Sequence, residues 1–317
     1  MSKILFVIDK IELKYFEFNK LVTNFWLIKK FLDNKNEVFV TTIQNLSLKG
    51  DIAFAKCCET FVMDENIFYK NVKNEEEINN FDIVMFRPDP PVDIDYINAT
   101  YIFDFVTKPR IINSPRAIRN FNEKLHSIYF REYMTNNIVT SSLKDIEDFL
   151  HEQKEIVLKP LNRCFGSGVM YLYEGDPNTR TIINTMTNNE TTLVMVQKFI
   201  PDVKNGDKRV LTLGDKILPY CIKKLPSSDD FKFNTHNDNF IMKADLSLSE
   251  INNFTNVAKK LNDMGIYMAG LDVIDGKIIE VNVTSPCYFI KEINSLYSIN
   301  LENEICNYLL TENLLTL

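Results

Sequence analysis

Glycine is scarce in this chain, nine residues in 317, and no Gly-rich turn follows the first apolar segment, Ile4 to Ile8. That excludes a dinucleotide fingerprint and a P-loop, both of which need glycine where the backbone approaches a phosphate closely. Cysteine occurs six times, at positions 57, 58, 164, 221, 287 and 306, with no Cys-x-x-Cys pair and no regular spacing. Neither a zinc site nor a disulfide framework is indicated, and a reducing cytoplasm fits best. The three histidines, His126, His151 and His236, lack metal-ligand spacing. Basic charge is not in excess: the formal net charge of −7 argues against a binder of phosphate backbones, so no nucleic-acid partner is expected. No apolar run approaches the roughly 18 residues of a membrane span. Met1 to Asp9 leads into a strand and does not read as a signal peptide, so a soluble, unprocessed chain with no membrane partner is expected.

What is present is an ample core, with 45% hydrophobic residues in 317, enough for two or three domains or one composite enzyme. Ile4 to Ile8, Val38 to Val40 and Phe81 to Phe86 read as strands and Phe25 to Phe31 as helix, an α/β alternation. The character changes near residue 120. A helix is expected after Arg119–Lys124, and Ser142-Leu143-Lys144-Asp145 reads as a capping box opening a helix to about Gln153. Strands Glu155–Pro160, Val169–Tyr173 and Leu193–Gln197 follow, then antiparallel hairpins with Gly214-Asp215 as one turn. Ser247-Leu248-Ser249-Glu250 caps a helix whose Ile251, Phe254, Val257, Leu261 and Met264 share one face before Gly265 ends it. Residues 226 to 240 are polar and loop-like. The expected divisions are 1–120, an N-terminal α/β domain; 121–202, a central domain; and 203–317, a C-terminal domain.

The most informative stretch is Gly270-Leu271-Asp272-Val273-Ile274-Asp275-Gly276-Lys277-Ile278-Ile279-Glu280-Val281-Asn282. Apolar alternation broken by Asp275-Gly276 predicts a β-hairpin, and Glu280 and Asn282, two apart, point to one face. An odd-numbered loop brings Asp272 to that face, and the odd loop is expected. Two carboxylates and an amide then form an oxygen set suited to a hard divalent cation that also binds phosphate oxygens. A solvated surface hairpin is the plainer reading of the spacing alone. Lys124 at a helix start, Lys159 at a strand end, and Asp207 and Arg209 opening another strand shift the balance toward phosphoryl transfer, which needs positioning and charge neutralisation.

The chain resembles the ATP-grasp superfamily, and within it bacterial glutathione synthetases. The likeness is carried by Arg87-Pro88-Asp89-Pro90-Pro91, Ile112 to Arg119, Asn122-Glu123-Lys124-Leu125, Lys159-Pro160-Leu161, Gly206-Asp207-Lys208-Arg209-Val210, Gly270 to Ile274 and Glu280-Val281-Asn282-Val283-Thr284-Ser285-Pro286. It implies an ATP-grasp fold: an N-terminal parallel α/β domain, a central lid and a C-terminal antiparallel sheet. It implies an ATP-dependent ligase that phosphorylates the C-terminal carboxylate of γ-glutamylcysteine and lets glycine's amine displace phosphate. By the same likeness Lys124 and Lys159 contact ATP, the Gln197-Lys198-Phe199-Ile200 edge holds the adenine, and Asp207 lies near the ribose. Asp272, Glu280 and Asn282 carry two Mg²⁺, or Mn²⁺ in their place; Arg209 and Lys159 serve catalysis; Arg87, Ser285 and Pro286 hold the peptide. A symmetric oligomer, dimer or tetramer, is expected.

Two loops depart from the family. Its glycine-rich lid reads here Asn162-Arg163-Cys164-Phe165-Gly166-Ser167-Gly168, with Arg163 and Phe165 where glycines stand. Arg163, Gly166, Ser167 and Gly168 are expected to face the phosphates. A second family loop is replaced by Lys232 to Asn239, where Lys232 and Asn234 are the candidate nucleotide contacts. An active ligase is the main expectation. A ligase of altered specificity and a non-catalytic nucleotide-binding relative are the alternatives.

Overall fold

A computed structural model describes residues 1–9, 22–70, 74–164, 166–226 and 241–311. In the first third, strands β1 (Lys3–Val7), β2 (Glu37–Thr41), β3 (Leu46–Lys49), β4 (Ile52–Met63), β5 (Asn66–Tyr69), β6 (Asn74–Glu77), β7 (Ile83–Phe86) and β8 (Arg110–Ile112) form one sheet of order β3-β4-β2-β1-β7-β8, with β5 and β6 on β4. Strands β2, β1, β7 and β8 are mutually parallel. Buried on both faces, β1 and β7 read as unbroken apolar runs, as parallel strands do. Period two still sorts their side chains. Ile4, Phe6 and Ile8 pack with Phe25, Ile28 and Phe31 of helix α1 (Thr23–Asp33). Leu5 and Val7 turn to the opposite face, with Tyr96 of helix α2 (Ile94–Ile102) and Ile118 of α3 (Pro115–Arg119). The antiparallel β3–β6 group went unread in the sequence, because its exposed strands alternate with charge and lack long apolar runs.

The helix expected after Lys124 is instead a tight 3₁₀ run, Leu125–Tyr133. Beyond it, β9 (Asn137–Thr140), β10 (Glu155–Pro160), β11 (Met170–Tyr173) and β12 (Val194–Lys198) make an antiparallel sheet of order β11-β10-β12-β9. Helices α4 (Leu143–Gln153) and α5 (Thr179–Met186) cover one face, where Ile146, Phe149, Leu150 and Ile183 meet Ile156, Leu158, Val194 and Val196. Only half of the expected capping box forms. Ser142 Oγ accepts from the Asp145 N–H at 3.2 Å, but the short Asp145 side chain turns to Thr140.

The third sheet holds β13 (Asp207–Leu213), β14 (Lys216–Ile217), β15 (Cys221–Lys224), β16 (Ile241–Ala244), β17 (Met268–Ile274) and β18 (Lys277–Asn282), in order β16-β15-β13-β17-β18 with β14 on β13. Val210, Leu271, Val273 and Val281 face helix α6 (Leu248–Asp263), packing on its Phe254, Val257 and Leu261. Glu250, one methylene longer than Asp145, completes the reciprocal box with Ser247. Ile251, expected on the buried face, lies 38% exposed instead. Helix α7 (Ile290–Tyr297) leads to α8 (Leu301–Thr311), whose Leu301, Ile305 and Leu309 return to the core around Ile4 and Phe6.

One side chain joins the first and third sheets. Asn113, 2% exposed, donates from Nδ2 to the Met268 and Val283 carbonyls, both at 2.7 Å, and accepts at Oδ1 from Tyr267 and Met268 N–H, both at 2.8 Å. Replacing it with alanine strands four buried main-chain groups. Asn113→Ala is expected to cost about 3–5 kcal/mol, read as a lowered urea midpoint at unchanged slope. A loss below about 1 kcal/mol would show that the two sheets are held together elsewhere.

Candidate active site

A cleft of about 440 Å³ opens between the face of the second sheet that α4 and α5 leave bare and the face of the third that α6 leaves bare. Sheet register decides what lines it. Val157 pairs with Gln197, and Lys159 lies two residues along, so all three share one face. Lys159 Nζ donates to Gln197 Oε1 at 2.8 Å and to the Ile279 carbonyl at 3.1 Å. Burial, with neighbouring Lys124 adding to it, pulls the pKa of Lys159 down to about 8 against Glu280 and Asp272.

Across the cleft, Arg209, Asp272 and Glu280 stand in one line on β13, β17 and β18. The loop that was expected to be odd is even: Ile274 pairs with Lys277 around the two residues Asp275 and Gly276, whose φ of 49° and 68° fit a primed hairpin turn. The odd residue comes later. Val273 pairs with Ile278 and Asp272 with Glu280, so Ile279 is a bulge, and that bulge carries Asp272 and Glu280 to the same face. Its carbonyl is the one that receives Lys159.

Asp272, 7% exposed, is the hub. Arg209 Nη2 donates to its Oδ2 at 3.2 Å, and Arg209 Nε stands 2.8 Å from Oδ1, close enough for charge but outside hydrogen-bond geometry. Asn282 Nδ2 donates to Oδ2 at 3.0 Å, and Lys224 Nζ lies 3.4 Å from Oδ1. Burial raises the pKa of Asp272, yet Arg209 and Lys224 outweigh it and hold the carboxyl below its usual range. Asp207, 1% exposed, fares differently: Lys224 reaches its Oδ2 at 2.9 Å but Oδ1 has no partner among the described residues, and burial pushes its pKa up to about 6. Lys124 Nζ bridges the Arg163 carbonyl at 2.6 Å and Glu280 Oε1 at 2.9 Å. Phe289 lies beneath Arg209 and Lys224, its ring centre 5.6 and 5.9 Å from the two cations.

The cleft therefore collects Arg87, Lys124, Lys159, Gln197, Asp207 and Arg209 with the Asp272, Glu280 and Asn282 set. Arg163, Gly166, Ser167, Phe199, Ile200, Ser285 and Pro286 also line it. Lys198 does not; its side chain alternates to the other face of β12 and is exposed. Gly168 lies outside the lining, packed against the Arg163 side chain. Lys232, Asn234 and His236 fall outside the described residues. Two participants went unread. Lys224 sits in an ordinary Lys-Lys pair and gains its place only by pairing with Asp207 across β13 and β15. Glu123, adjacent to Lys124 in a motif that was noticed, accepts at Oε1 from Val283 N–H at 2.6 Å, Thr284 N–H at 3.0 Å and Thr284 Oγ1 at 3.1 Å. Burial, with Glu280 adding to it, raises the pKa of Glu123 against those donors. Among the described residues no three His, Cys, Asp or Glu side chains cluster to hold a metal. On the β17–β18 face the oxygen donors are the Asp272 and Glu280 carboxylates and the Asn282 amide.

Comparison with known proteins bears on what such a cleft does. The family model of the prokaryotic glutathione synthetase N-terminal domain matches residues 2–119, and that of the prokaryotic glutathione synthetase ATP-grasp domain matches residues 123–298. The glutathione synthetase of Vibrio vulnificus is 35% identical over 85% of this chain and 86% of its own. That of Coxiella burnetii is 29% identical over 92% and 91%. Among solved structures, D-cycloserine synthetase DcsG superposes with a TM-score of 0.68 at 14% identity, over 97% of this chain and 98% of that one. D-alanyl-alanine synthetase A of Vibrio cholerae gives 0.61 at 12%, over 98% and 99%. At such identities the two structures speak for the fold, which is ATP-grasp.

Gly270 shows how tightly the hub is built. A Cβ there would stand 2.5 Å from Arg209 Nη1. Gly270→Ala is expected to push the guanidinium off Asp272 and to lower stability by about 1–3 kcal/mol, measured by thermal unfolding. An unchanged melting temperature would mean that Arg209 has room to move without loss.

Proposed function

The chain belongs to the prokaryotic glutathione synthetase family, and we propose that its cleft performs the ATP-dependent ligation of γ-glutamylcysteine to glycine with residues in the roles argued here. The γ-phosphoryl group passes to the C-terminal carboxylate of the peptide, giving an acyl phosphate and ADP. Glycine's amine then attacks the acyl carbon, loses a proton and expels phosphate. Glutathione, ADP and phosphate are the products, and no covalent link to the protein is required.

The observation that carries the reading is the Arg209, Asp272 and Glu280 line facing Lys124 and Lys159. Two lysines are placed for the nucleotide phosphates. Arg209, braced on Asp272 and Phe289, keeps its charge aimed where negative charge builds on the transferring group. Gln197 Nε2 and Asp207 Oδ1, both buried and without a partner among the described residues, suit a ligand of mixed donors and acceptors, as adenine and ribose are. The Gln197 to Ile200 strand end offers main-chain groups for the base. Arg87 and Ser285 line the same cleft 3.5 Å apart and suit the peptide.

Enzymes of this fold use ATP with a divalent cation. The donor set fits Mg²⁺, a hard ion that takes one or two carboxylates and completes its shell with phosphate oxygens and water. Asp272, Glu280 and Asn282 would hold it, and when bound it would neutralise phosphate charge. Asp272 is already a carboxylate in the free protein, because Arg209 and Lys224 stabilise its charge, so cation binding would release no proton from it. Lys124 contacts Glu280 at 2.9 Å, and with that carboxylate holding a cation the ammonium would be free to turn to a phosphate. No helix among the described residues is long and apolar enough to cross a membrane.

An assay of ADP release tests the reaction directly. Turnover is expected only when γ-glutamylcysteine, glycine and Mg²⁺ are all present, and nucleotide binding without peptide-dependent ADP would overturn it. Asp272→Asn is expected to lower kcat at least about 100-fold and to destabilise the fold by about 3–5 kcal/mol, since buried Arg209 loses its counter-charge. Activity within tenfold of the parent would remove Asp272 from the reaction. The depressed pKa of Lys159 has a sign as well. Below about 8 the ammonium is charged and attracts phosphate; as pH rises through 8 the free protein loses that charge, while bound nucleotide restores it. ATP affinity should therefore fall roughly 5- to 10-fold between about pH 7.5 and 9, with proton uptake on binding. Calorimetry in buffers of different ionisation enthalpy reads both, and an affinity flat across that range contradicts the role of Lys159.

A further inference from the structure

The Arg87-Pro88-Asp89-Pro90-Pro91 segment leaves β7 and brings a cation and a carboxylate, two residues apart, to one wall of the cleft. Arg87 is anchored from behind: Nε donates to Asn24 Oδ1 at 2.7 Å and Nη2 to the Pro286 carbonyl at 3.0 Å. Asp89 is anchored through its main chain, its N–H donating to Asp9 Oδ2 at 2.7 Å, while its half-buried side chain lines the cleft.

The charges on that wall narrow what it can hold. Arg87 and Asp89 both line it and carry opposite charges, so the wall favours a ligand that brings a positive group as well as a negative one. A free amino-acid head has both on one carbon. In an α-linked peptide the first residue keeps its ammonium but spends its α-carboxylate in the amide. In a γ-linked glutamyl peptide both remain, at the end remote from the carboxylate that reacts.

We propose that Asp89 binds the α-ammonium of the γ-glutamyl substrate while Arg87 binds the α-carboxylate beside it, so that this pair selects the γ-linkage. The inference rests on the reaction proposed above and names the specificity element within it. Arg87 alone would accept any carboxylate of suitable reach. Asp89 makes the wall dipolar, and a ligand lacking the amine leaves its carboxylate without a counter-charge.

The test compares γ-glutamylcysteine with glutarylcysteine, the same peptide without the α-amino group, in the parent enzyme and in Asp89→Asn, with saturating ATP, Mg²⁺ and glycine. The parent should show a KM roughly 10- to 100-fold higher for glutarylcysteine. Asp89→Asn should lose about that factor with γ-glutamylcysteine and almost nothing with glutarylcysteine, with ATP affinity and the KM for glycine unchanged. Asp89→Glu keeps the charge and should keep a preference for the amine-bearing peptide, which decides the matter if the asparagine variant folds poorly. Equal losses with both peptides would make Asp89 a structural residue and overturn the assignment, as would a parent enzyme that does not distinguish them. A change confined to the KM for glycine would move Asp89 to the other substrate and equally overturn it. A parent that turns over neither peptide would sink the ligation reading itself, a result distinct from any of these.

Discussion

A carboxylate kept ionised inside a sheet is the constraint around which this cleft is arranged. Asp272 is almost fully buried, and an unpaired charge there would be expelled by protonation or by unfolding. Arg209 and Lys224 prevent that, and each is tied to its own neighbour: Arg209 lies over Phe289, and Lys224 spans to Asp207. Gly270, with no side chain, leaves the volume that the guanidinium fills. The hub is nearly neutral in sum while presenting strong local charge, which is what a site handling polyphosphate and a divalent cation needs. The difference between Asp207 and Asp272 follows from satisfaction, since only the second has partners on both oxygens.

Two sheets share the labour in the same manner. Each gives one face to helices, α4 and α5 in one case and α6 in the other, and turns its second face to the cleft. Strand alternation then makes packing and chemistry nearly independent. Leu158 can be core while Lys159, its neighbour, holds Gln197; Leu271 packs on α6 while Asp272 faces Arg209. The Asn113 brace fixes the third sheet to the first, so that Arg87, carried by the first sheet, meets Ser285 and Pro286 of the third.

Much of this was legible in the chain. Apolar runs at 4–8 and 83–86, the Ser247 to Glu250 cap and the Asp275-Gly276 turn announce themselves through period, chemistry and turn type. The candidate residues Lys124, Lys159, Asp207, Arg209, Asp272, Glu280 and Asn282 were named from motif and spacing. Where the reading faltered, long-range geometry was at work. The β3–β6 group is held by pairing to β4 and not by its own pattern. The short Asp145 could not close a box that Glu250 closes. Lys198 belongs to a motif, yet the alternation of β12 sends it away from the cleft. Lys224 carries no local mark at all.

The amino-acid order by itself determined which residue types were available, which segments were strands or helices, and which family of folds they fit, because those properties depend on neighbours a few positions apart. The tertiary structure alone decided that Asp272 and Glu280 face one another. A single bulged residue, Ile279, reverses the side to which every residue before it in the pairing projects, and no local preference reports where an extra residue will be accommodated. The same distant pairing placed Lys224 beside Asp207, brought Lys159 to the Ile279 carbonyl, and lowered the pKa of one lysine by burial while leaving one aspartate charged and pushing another toward neutrality.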